Sequence, residues 1–219
     1  MEPKTVNSEP NHRDDPYPDK AAFFDAQVEA DWAMQAYGTA EAEKLERLLT
    51  VTGPLTGLRL LEPGCGTGRL TEVLAEGVGF HGRVVAMDIS PGMVAAARSR
   101  LFRFANVDLR LGAVEALSDR LGIFDLVICH QVFPHFADRV GALEILARML
   151  KPGGRLVISH FIPLAEINDV HRKAGTAVAN DLMPPGETMR RWCGAYGLAV
   201  EHWHDDALGY LLAATLKWP

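Results

Sequence analysis

The spacing of apolar residues divides the chain into three segments. Residues 1–20 are polar and rich in proline, which predicts a mobile N-terminal tail. Within residues 21–53, apolar side chains recur at steps of three and four, which predicts two helices, one from Ala21 to about Met34 and one from Thr39 to about Thr50. From residue 54 to 219 the rhythm changes, and this segment is expected to form the main domain.

In the main domain, short apolar runs alternate with amphipathic helical stretches. Each run is apolar on both faces, as in parallel strands that are covered by helices on two sides. The predicted strands are 58–62, 84–88, 107–111, 125–130, 155–161, 198–204 and 209–217. The predicted helices between and after them are 67–76, 91–103, 138–150, 164–174 and 185–196. The pattern therefore predicts a doubly wound α/β sheet.

A glycine-rich loop, Glu62-Pro63-Gly64-Cys65-Gly66-Thr67-Gly68, follows the first predicted strand directly. Glycine allows a ligand to approach the backbone and allows the positive φ of a tight turn. The start of the following helix offers free N–H groups and a positive dipole end, which suit a carboxylate or a phosphate. In open α/β sheets, ligands bind at this end of the strands. The loop therefore indicates a nucleotide-like ligand.

Two nearby residues narrow the identity of that ligand. Arg69 stands where a dinucleotide-binding loop of the G-x-G-x-x-G type carries its third glycine, which disfavours a nicotinamide-dependent oxidoreductase. Asp88 ends the second strand, where an acidic side chain can accept hydrogen bonds from both ribose hydroxyls. The alternative for Asp88 is a structural carboxylate, either at the strand end or at the N-cap of the helix, before Ser90-Pro91.

Composition restricts the partners and the compartment. The net charge is −6 and no basic cluster is evident, which disfavours nucleic-acid binding. The three cysteines show no metal-binding spacing and do not suggest a disulfide framework. No apolar run reaches the roughly 18 residues of a membrane span, and the first twenty residues lack the apolar run of a signal peptide. We therefore expect a cytoplasmic protein; the sequence does not predict the oligomeric state.

Four segments in order resemble the successive motifs of the class I S-adenosylmethionine-dependent methyltransferase family. They are LLEPGCGTGRL, VVAMDISPGMV, FDLVICHQVFPHF and LARMLKPGGRLVIS. The resemblance covers about residues 40–217. It implies a Rossmann-like, mostly parallel seven-stranded sheet with an antiparallel last strand and an N-terminal helical cover. It also implies S-adenosylmethionine as the cofactor.

The same resemblance implies which residues contact the cofactor. The glycines would face its methionine part, Glu62 its amino group and Asp88 its ribose. The adenine would lie between Ile89 and Met93. The full implied set is Glu62, Gly64, Cys65, Gly66, Gly68, Asp88, Ile89, Met93, Val114, Glu115 and His130.

The sequence departs from the family pattern at one position that would contact the adenine. It follows the pattern at a position that would lie at the reacting end of the cofactor. Ala113 stands where an Asp that binds the adenine amino group is common, so backbone groups of Val114 and Glu115 are expected to replace it. His130, at the end of the fourth strand, would lie beside the sulfonium.

The methyl acceptor is expected beside a group of histidines. Methyl transfer is an in-line displacement that needs a base only when the acceptor must lose a proton. We predict that His135, His160, Asn168 and His171 orient the acceptor or remove its proton. Asn168 and His171 would share one helix face, and His135 has the alternative of capping a helix. Metal binding is the weaker alternative for this group, and no metal site is predicted.

The predicted function is therefore transfer of a methyl group from S-adenosylmethionine to a small-molecule acceptor. Nucleic-acid methyltransferases that modify bases commonly carry an Asp/Asn-Pro-Pro-aromatic run after the fourth strand, and Cys129-His130-Gln131-Val132 does not match it. A protein acceptor remains open. Two further functions also stay open: a cofactor-binding protein without turnover and a nicotinamide-dependent oxidoreductase.

Overall fold

A computed structural model describes residues 17–117 and 123–217. The helices are α1 (Pro18–Asp25), α2 (Asp31–Met34), α3 (Thr39–Thr52), α4 (Arg69–Val78), α5 (Pro91–Arg100), α6 (Arg139–Met149), α7 (Leu164–Lys173) and α8 (Gly186–Ala195). The strands are β1 (Arg59–Pro63), β2 (Arg83–Asp88), β3 (Val107–Leu111), β4 (Phe124–His130), β5 (Leu150–His160), β6 (Leu198–Asp206) and β7 (Gly209–Leu216).

The seven strands form one sheet in the order β3-β2-β1-β4-β5-β7-β6. Neighbouring strands from β3 to β5 pair in parallel, and β7 pairs antiparallel with both β5 and β6. Because β7 alone reverses direction, the predicted doubly wound, Rossmann-like sheet with an antiparallel last strand is confirmed.

The sheet separates two apolar layers, which explains why its inner strands, such as β1, β2 and β4, are buried on both faces. One layer packs Leu143 and Leu146 of α6 against the sheet, and the other packs Leu48 of α3 and Leu74 of α4 against the opposite face. Each of these leucines is fully buried, which contributes roughly 1.5–3 kcal/mol per side chain.

Strand β5 begins earlier than predicted. Leu150 pairs with Phe124 before the register shifts and Arg155 pairs with Leu126. The intervening Pro152 and Gly153 are typical of turns, so the sequence pattern does not predict that the strand starts at Leu150.

The N-terminal region differs from the prediction in two ways. The predicted tail lies outside the described residues as far as residue 16, but Tyr17 is buried and α1 begins at Pro18, so assigning 17–20 to the tail is wrong. The single helix expected from Ala21 is also wrong, because the backbone becomes extended at Ala30 and α2 starts afresh. We call residues 17–34 the N-terminal cover.

The parallel strands β1, β2, β4 and β5 all end at one edge of the sheet. The strand order reverses between β1 and β4, which is where open α/β sheets form their ligand crevice. The glycine loop, Asp88, His130 and His160 follow or end these four strands. Within the described residues, no helix has both the length and the apolar character required to cross a membrane.

Candidate active site

A cavity of about 410 Å³ lies at this edge of the sheet, between the glycine loop and the N-terminal cover. Its volume is in the range of about 300–1,000 Å³ that is typical of small-molecule sites. The cover contributes aromatic side chains to its wall, including Phe24 and Trp32. The predicted N-terminal helical cover therefore forms part of the wall of the site.

Two glycines of the loop have different surroundings. Gly64 has a φ of +68°, and a Cβ there would stand 2.1 Å from Cγ2 of Val132. Gly66 has a φ of +54°, but no heavy atom lies within 4 Å of the position of its Cβ. Gly64 therefore lets the loop pack against the segment after β4, while Gly66 leaves open space beside the backbone. Both lie where the sequence predicted a ligand.

Arg69 joins the loop to the chain segment before it. Its guanidinium donates to the carbonyl of Trp32 at 2.7 Å and to both carboxylate oxygens of Glu41 at 3.0 and 2.9 Å. It also stacks on the ring of Tyr37, 4.2 Å from the ring centroid. The neighbouring Thr67 hydroxyl donates to the carbonyl of Ala33. Arg69, which stands in place of the third glycine, thus holds the N-terminal cover against the loop through hydrogen bonds.

Asp88 is buried at the end of β2 and holds the loop in place. Its carboxylate accepts hydrogen bonds from the N–H of Gly66 at 2.8 Å and from the N–H of Ser90 at 2.9 Å. Burial raises the pKa of this carboxyl above its usual value, against these two hydrogen bonds. The cap of α5 is Ser90, whose hydroxyl accepts from the N–H of Met93. The helix-cap alternative for Asp88 is therefore wrong, whereas its two bonds to backbone N–H groups agree with the strand-end alternative.

Glu62 is a buried carboxylate with an unsatisfied oxygen. It is 2% exposed, and its Oε2 atom has no hydrogen-bond partner. Burial raises its pKa from 4.5 to about 8. A buried acceptor without a partner is unfavourable unless a ligand donates to it. Glu62 lines the cavity, so an ammonium group of a ligand fits this position.

His130 lies at the end of β4, in the cavity wall. Its Nδ1 is 2.8 Å from the hydroxyl of Ser159, and its Nε2 is 3.1 Å from the amide nitrogen of Gln131. Because that amide can only donate, Nε2 accepts and Nδ1 carries the proton. Burial lowers the pKa of His130 to about 3. The ring is therefore neutral and does not repel a cationic ligand such as a sulfonium.

The predicted adenine contacts are brought together only in part. Ile89, Met93 and Val114 line the cavity, as does Cys65 in the loop. The side chain of Glu115 instead accepts a hydrogen bond from the Tyr17 hydroxyl and is not among the described cavity-lining residues. The contact expected of Glu115 is through its backbone, and it stays a prediction.

Three of the four predicted catalytic residues meet in the cavity: His135, His160 and His171. Among the residues that the structure describes, Asn168 is not part of the cavity wall. The Asn168 amide donates to the carbonyl of Met183 at 3.2 Å and accepts from the N–H of the same residue at 2.7 Å. Its predicted role on the acceptor is therefore wrong, because both ends of the amide hold backbone.

His135 has a partner that sequence reasoning missed. Its Nδ1 is 2.8 Å from the carboxylate of Asp181, which also binds Lys20 at 2.8 Å. Asp181 lies in an irregular segment far along the chain, and Lys20 falls in the segment predicted as a tail, so no motif identifies them. The helix cap predicted as the alternative for His135 is supplied by Asp138, which accepts from two N–H groups of α6.

The other two histidines border the same space. The ring centroids of His171 and His135 are 4.6 Å apart, and Nδ1 of His171 bonds to the backbone carbonyl of Asp181. His160 is buried, and its Nε2 has no partner. Burial lowers the pKa of both His160 and His171. Among residues 17–117 and 123–217, no three His, Cys, Asp or Glu side chains are grouped to hold a metal ion.

This geometry defines a class of protein: an α/β enzyme fold whose cavity suits a nucleoside joined to an amino-acid group. Residues 55–211 match the family model described as a methyltransferase domain, and the chain belongs to that family. The cofactor of this class is S-adenosylmethionine, and the unsatisfied Glu62 carboxylate and the open loop at Gly66 fit it.

The chain is similar to two kinds of curated relative, over part of their length. A ubiquinone biosynthesis O-methyltransferase of Xylella fastidiosa (strain 9a5c) is 39% identical over 108 residues, which are 48% of this chain and 43% of that protein. A demethylmenaquinone methyltransferase of Lactococcus lactis is 38% identical over 107 residues, which are 48% of this chain and 42% of that protein. The matched region thus spans less than half of these relatives.

Solved structures share the fold. A SAM-dependent methyltransferase from Aquifex aeolicus superposes with a TM-score of 0.66 at 18% identity, covering 90% of this chain and 98% of that one. An S-adenosylmethionine-dependent methyltransferase from Mesorhizobium loti gives a TM-score of 0.65 at 20% identity, covering 81% and 98%.

Proposed function

We propose that the protein transfers a methyl group from S-adenosylmethionine to a small-molecule acceptor. The observation that carries this proposal is the unpaired, buried Oε2 atom of Glu62 in the cavity that Asp88 and the glycine loop also line. A carboxylate can accept hydrogen bonds from an ammonium group and from ribose hydroxyls. When bound, S-adenosylmethionine supplies an activated methyl group on its sulfonium.

The enclosure of the cavity supports a small acceptor. Residues 17–34 close over the loop through Arg69 and Thr67, and the cavity volume is only about 410 Å³. The net charge of −6 gives no general attraction for a nucleic acid. The similarity to quinone-precursor methyltransferases, by their names, also favours a small molecule. A cytoplasmic location and the absence of a nucleic-acid partner remain predictions.

The experiment is a calorimetric titration followed by a transfer assay. We expect S-adenosylmethionine to bind and NAD⁺ and NADP⁺ not to bind. We further expect label from S-[methyl-³H]adenosylmethionine to enter the low-mass fraction of a cell extract only when the protein is added. Binding of a nicotinamide dinucleotide alone would favour an oxidoreductase. Cofactor binding without label in any low-mass product would favour the binding protein without turnover.

Replacement of Asp88 by Ala is expected to weaken binding of S-adenosylhomocysteine by roughly 1.5–3 kcal/mol, as for loss of a charge-assisted hydrogen bond. Part of the loss arises because Asp88 also holds the N–H of Gly66. Calorimetry measures the affinity, and circular dichroism checks the fold. Asp108→Ala, on the neighbouring strand β3, is the matched control and should leave the affinity unchanged. A folded Asp88→Ala variant with wild-type affinity would remove Asp88 from the ribose site.

A further inference from the structure

A chain of three charged or polar side chains backs one wall of the cavity. His135 donates from Nδ1 to Oδ2 of Asp181 at 2.8 Å, and Lys20 donates to Oδ1 of the same carboxylate at 2.8 Å. Lys20 also donates to the backbone carbonyl of His135 at 2.9 Å. His135, Asp181 and Lys20 come from three separate parts of the chain. We call this set the His135–Asp181–Lys20 relay.

The relay fixes the protonation of His135. Burial alone would raise the pKa of Asp181, but hydrogen bonds from His135 and Lys20 hold it below its usual value, so the carboxylate is ionised. An ionised carboxylate only accepts hydrogen bonds, so Nδ1 of His135 carries the proton. The lone pair is then on Nε2, the ring nitrogen of His135 that does not bond to Asp181. A carboxylate behind an imidazole also stabilises the imidazolium that forms when Nε2 takes a proton.

The remaining wall at this end of the cavity is apolar. Phe136, Ile167, Val170 and Val178 line it together with Phe24, whose ring meets the His135 ring edge-on at 5.0 Å. The charged side chains among the described cavity-lining residues, apart from histidines, are Glu62, Arg69 and Asp88. Arg69 is already paired with Glu41. This end of the cavity therefore suits an uncharged, apolar acceptor rather than a carboxylate or a phosphate.

We propose that His135 is the general base that accepts the proton of an acceptor hydroxyl, and that the protein is an O-methyltransferase for an apolar, uncharged hydroxyl compound of the phenol type. This inference rests on the proposed function. In the step, the O–H proton passes to Nε2 of His135, and the oxygen forms the bond to the methyl carbon. The S–CH₃ bond breaks, its electron pair stays on sulfur, and the proton later leaves to solvent.

A positioned general base beside the acceptor favours an oxygen nucleophile over an amine or a thiol. A neutral phenol is a weak nucleophile until its proton is removed, and a positioned base contributes about 10²–10⁴-fold to such a step. A free-base amine carries its own lone pair, and a thiol with a pKa near 8.5 ionises readily without help. Asp181 acts through His135 and is a positioning residue, as is Lys20.

The first experiment tests the relay in the absence of turnover, by measuring which ring nitrogen of His135 carries the proton. In protein loaded with S-adenosylhomocysteine, long-range ¹H–¹⁵N correlation NMR should show His135 protonated on Nδ1, with the signal assigned by its loss in His135→Gln. Asp181→Asn removes the ionised partner of Nδ1, so part of the signal should move to the tautomer protonated on Nε2. Groups facing His135 that must be held constant are Tyr17 and Lys20 from the cover, Asp88 from β2, His160 from β5, His171 from α7 and Asp181. A proton on Nε2 in the wild-type protein, or an unchanged tautomer in Asp181→Asn, would overturn the relay.

The second experiment tests the acceptor class with a series of phenols that runs from phenol to 4-nitrophenol. His135→Gln should lower kcat/KM about 100-fold or more for the least acidic phenols and much less for 4-nitrophenol, which is ionised without a base. Asp181→Asn should show the same trend in weaker form. His202→Gln, an exposed histidine on β6, is the matched control and should behave as wild type.

The outcomes separate this proposal from the proposed function. The affinity of all variants for S-adenosylhomocysteine should stay within about threefold of wild type. An equal loss for every phenol would overturn the base. Methylation of no phenol by wild-type protein, or label from an extract only in N-, S- or C-methyl products, would overturn the hydroxyl acceptor while methyl transfer itself stood. Failure of wild-type protein to bind the cofactor would instead count against the proposed function.

Discussion

Glu62→Gln should weaken S-adenosylmethionine binding roughly 10- to 100-fold, while making the unliganded protein more stable at alkaline pH. The affinity falls because the variant loses a charge-assisted hydrogen bond, worth about 1.5–3 kcal/mol, to the ammonium of the cofactor. Stability rises because Glu62 is buried, its Oε2 has no partner, and Gln cannot ionise. One substitution therefore moves function and stability in opposite directions.

The pH dependence of this effect has a definite sign. Burial raises the pKa of Glu62 from 4.5 to about 8, so the folded protein keeps a proton that the unfolded chain has already lost. The stability that Glu62 contributes is full below pH 4.5 and is lost as the pH rises through about 8. The gain in Glu62→Gln at pH 9 relative to pH 5 should reach, at most, about 4 kcal/mol.

Urea unfolding at pH 5 and pH 9 measures this gain, with the exposed Glu43→Gln of α3 as the control. Calorimetry in buffers of different ionisation enthalpy tests the protonation of Glu62 independently, because it measures the number of protons released when the cofactor binds. Since Glu62 must lose its proton to meet the ammonium, cofactor binding at pH 7 should release close to one proton. Parallel stability profiles for Glu62→Gln and wild type, with no proton released on binding, would contradict this account of Glu62.

Two alanine substitutions in the glycine loop should separate folding from binding. Gly64→Ala places a Cβ 2.1 Å from the Val132 side chain, at a φ of +68°. We expect it to lower the free energy of unfolding by about 3 kcal/mol, from overpacking combined with backbone strain. Gly66→Ala is the matched variant, since no heavy atom lies within 4 Å of its Cβ and only the strain of about 1–2 kcal/mol remains.

The affinities should follow the opposite order to the stabilities. The Gly66→Ala methyl group would occupy the open space where the cofactor approaches the loop, so binding of S-adenosylhomocysteine should fall at least tenfold in a protein that stays folded. Urea unfolding and calorimetry on both variants provide the comparison. Equal stability losses, or unchanged affinity in Gly66→Ala, would show that the two glycines do not divide these roles.

The sequence predicted the inner part of the sheet well because strands β1, β2, β4 and β7 are buried on both faces over most of their length. Runs such as VVAMD have no amphipathic alternation, and alternate with helices that carry the polar surface. The prediction failed in the N-terminal cover, where helix α2 starts afresh after Ala30 and receives hydrogen bonds from Arg69 and Thr67, which are distant in sequence. Local periodicity contains no information on such contacts.

The site residues that lie at strand ends were predictable from the sequence. Those whose position depends on irregular segments were not. Asp88 and His130 end strands, so their positions follow from the topology. Asn168 and His171 do lie on the same helix. The side chain of Asn168 bonds to the backbone of Met183, whereas His171 lines the cavity. Asp181 was missed because a carboxylate in an irregular segment has no pattern, and only the folded chain brings it to His135.

A crystal structure with S-adenosylhomocysteine tests the central claim most directly. The account predicts the ribose hydroxyls on Asp88, the ammonium within hydrogen-bond distance of Glu62 Oε2, and the sulfur facing His130 with open space beyond it toward His135. A ligand with its ribose away from Asp88, or with the Glu62 carboxylate still unpaired, would contradict the account.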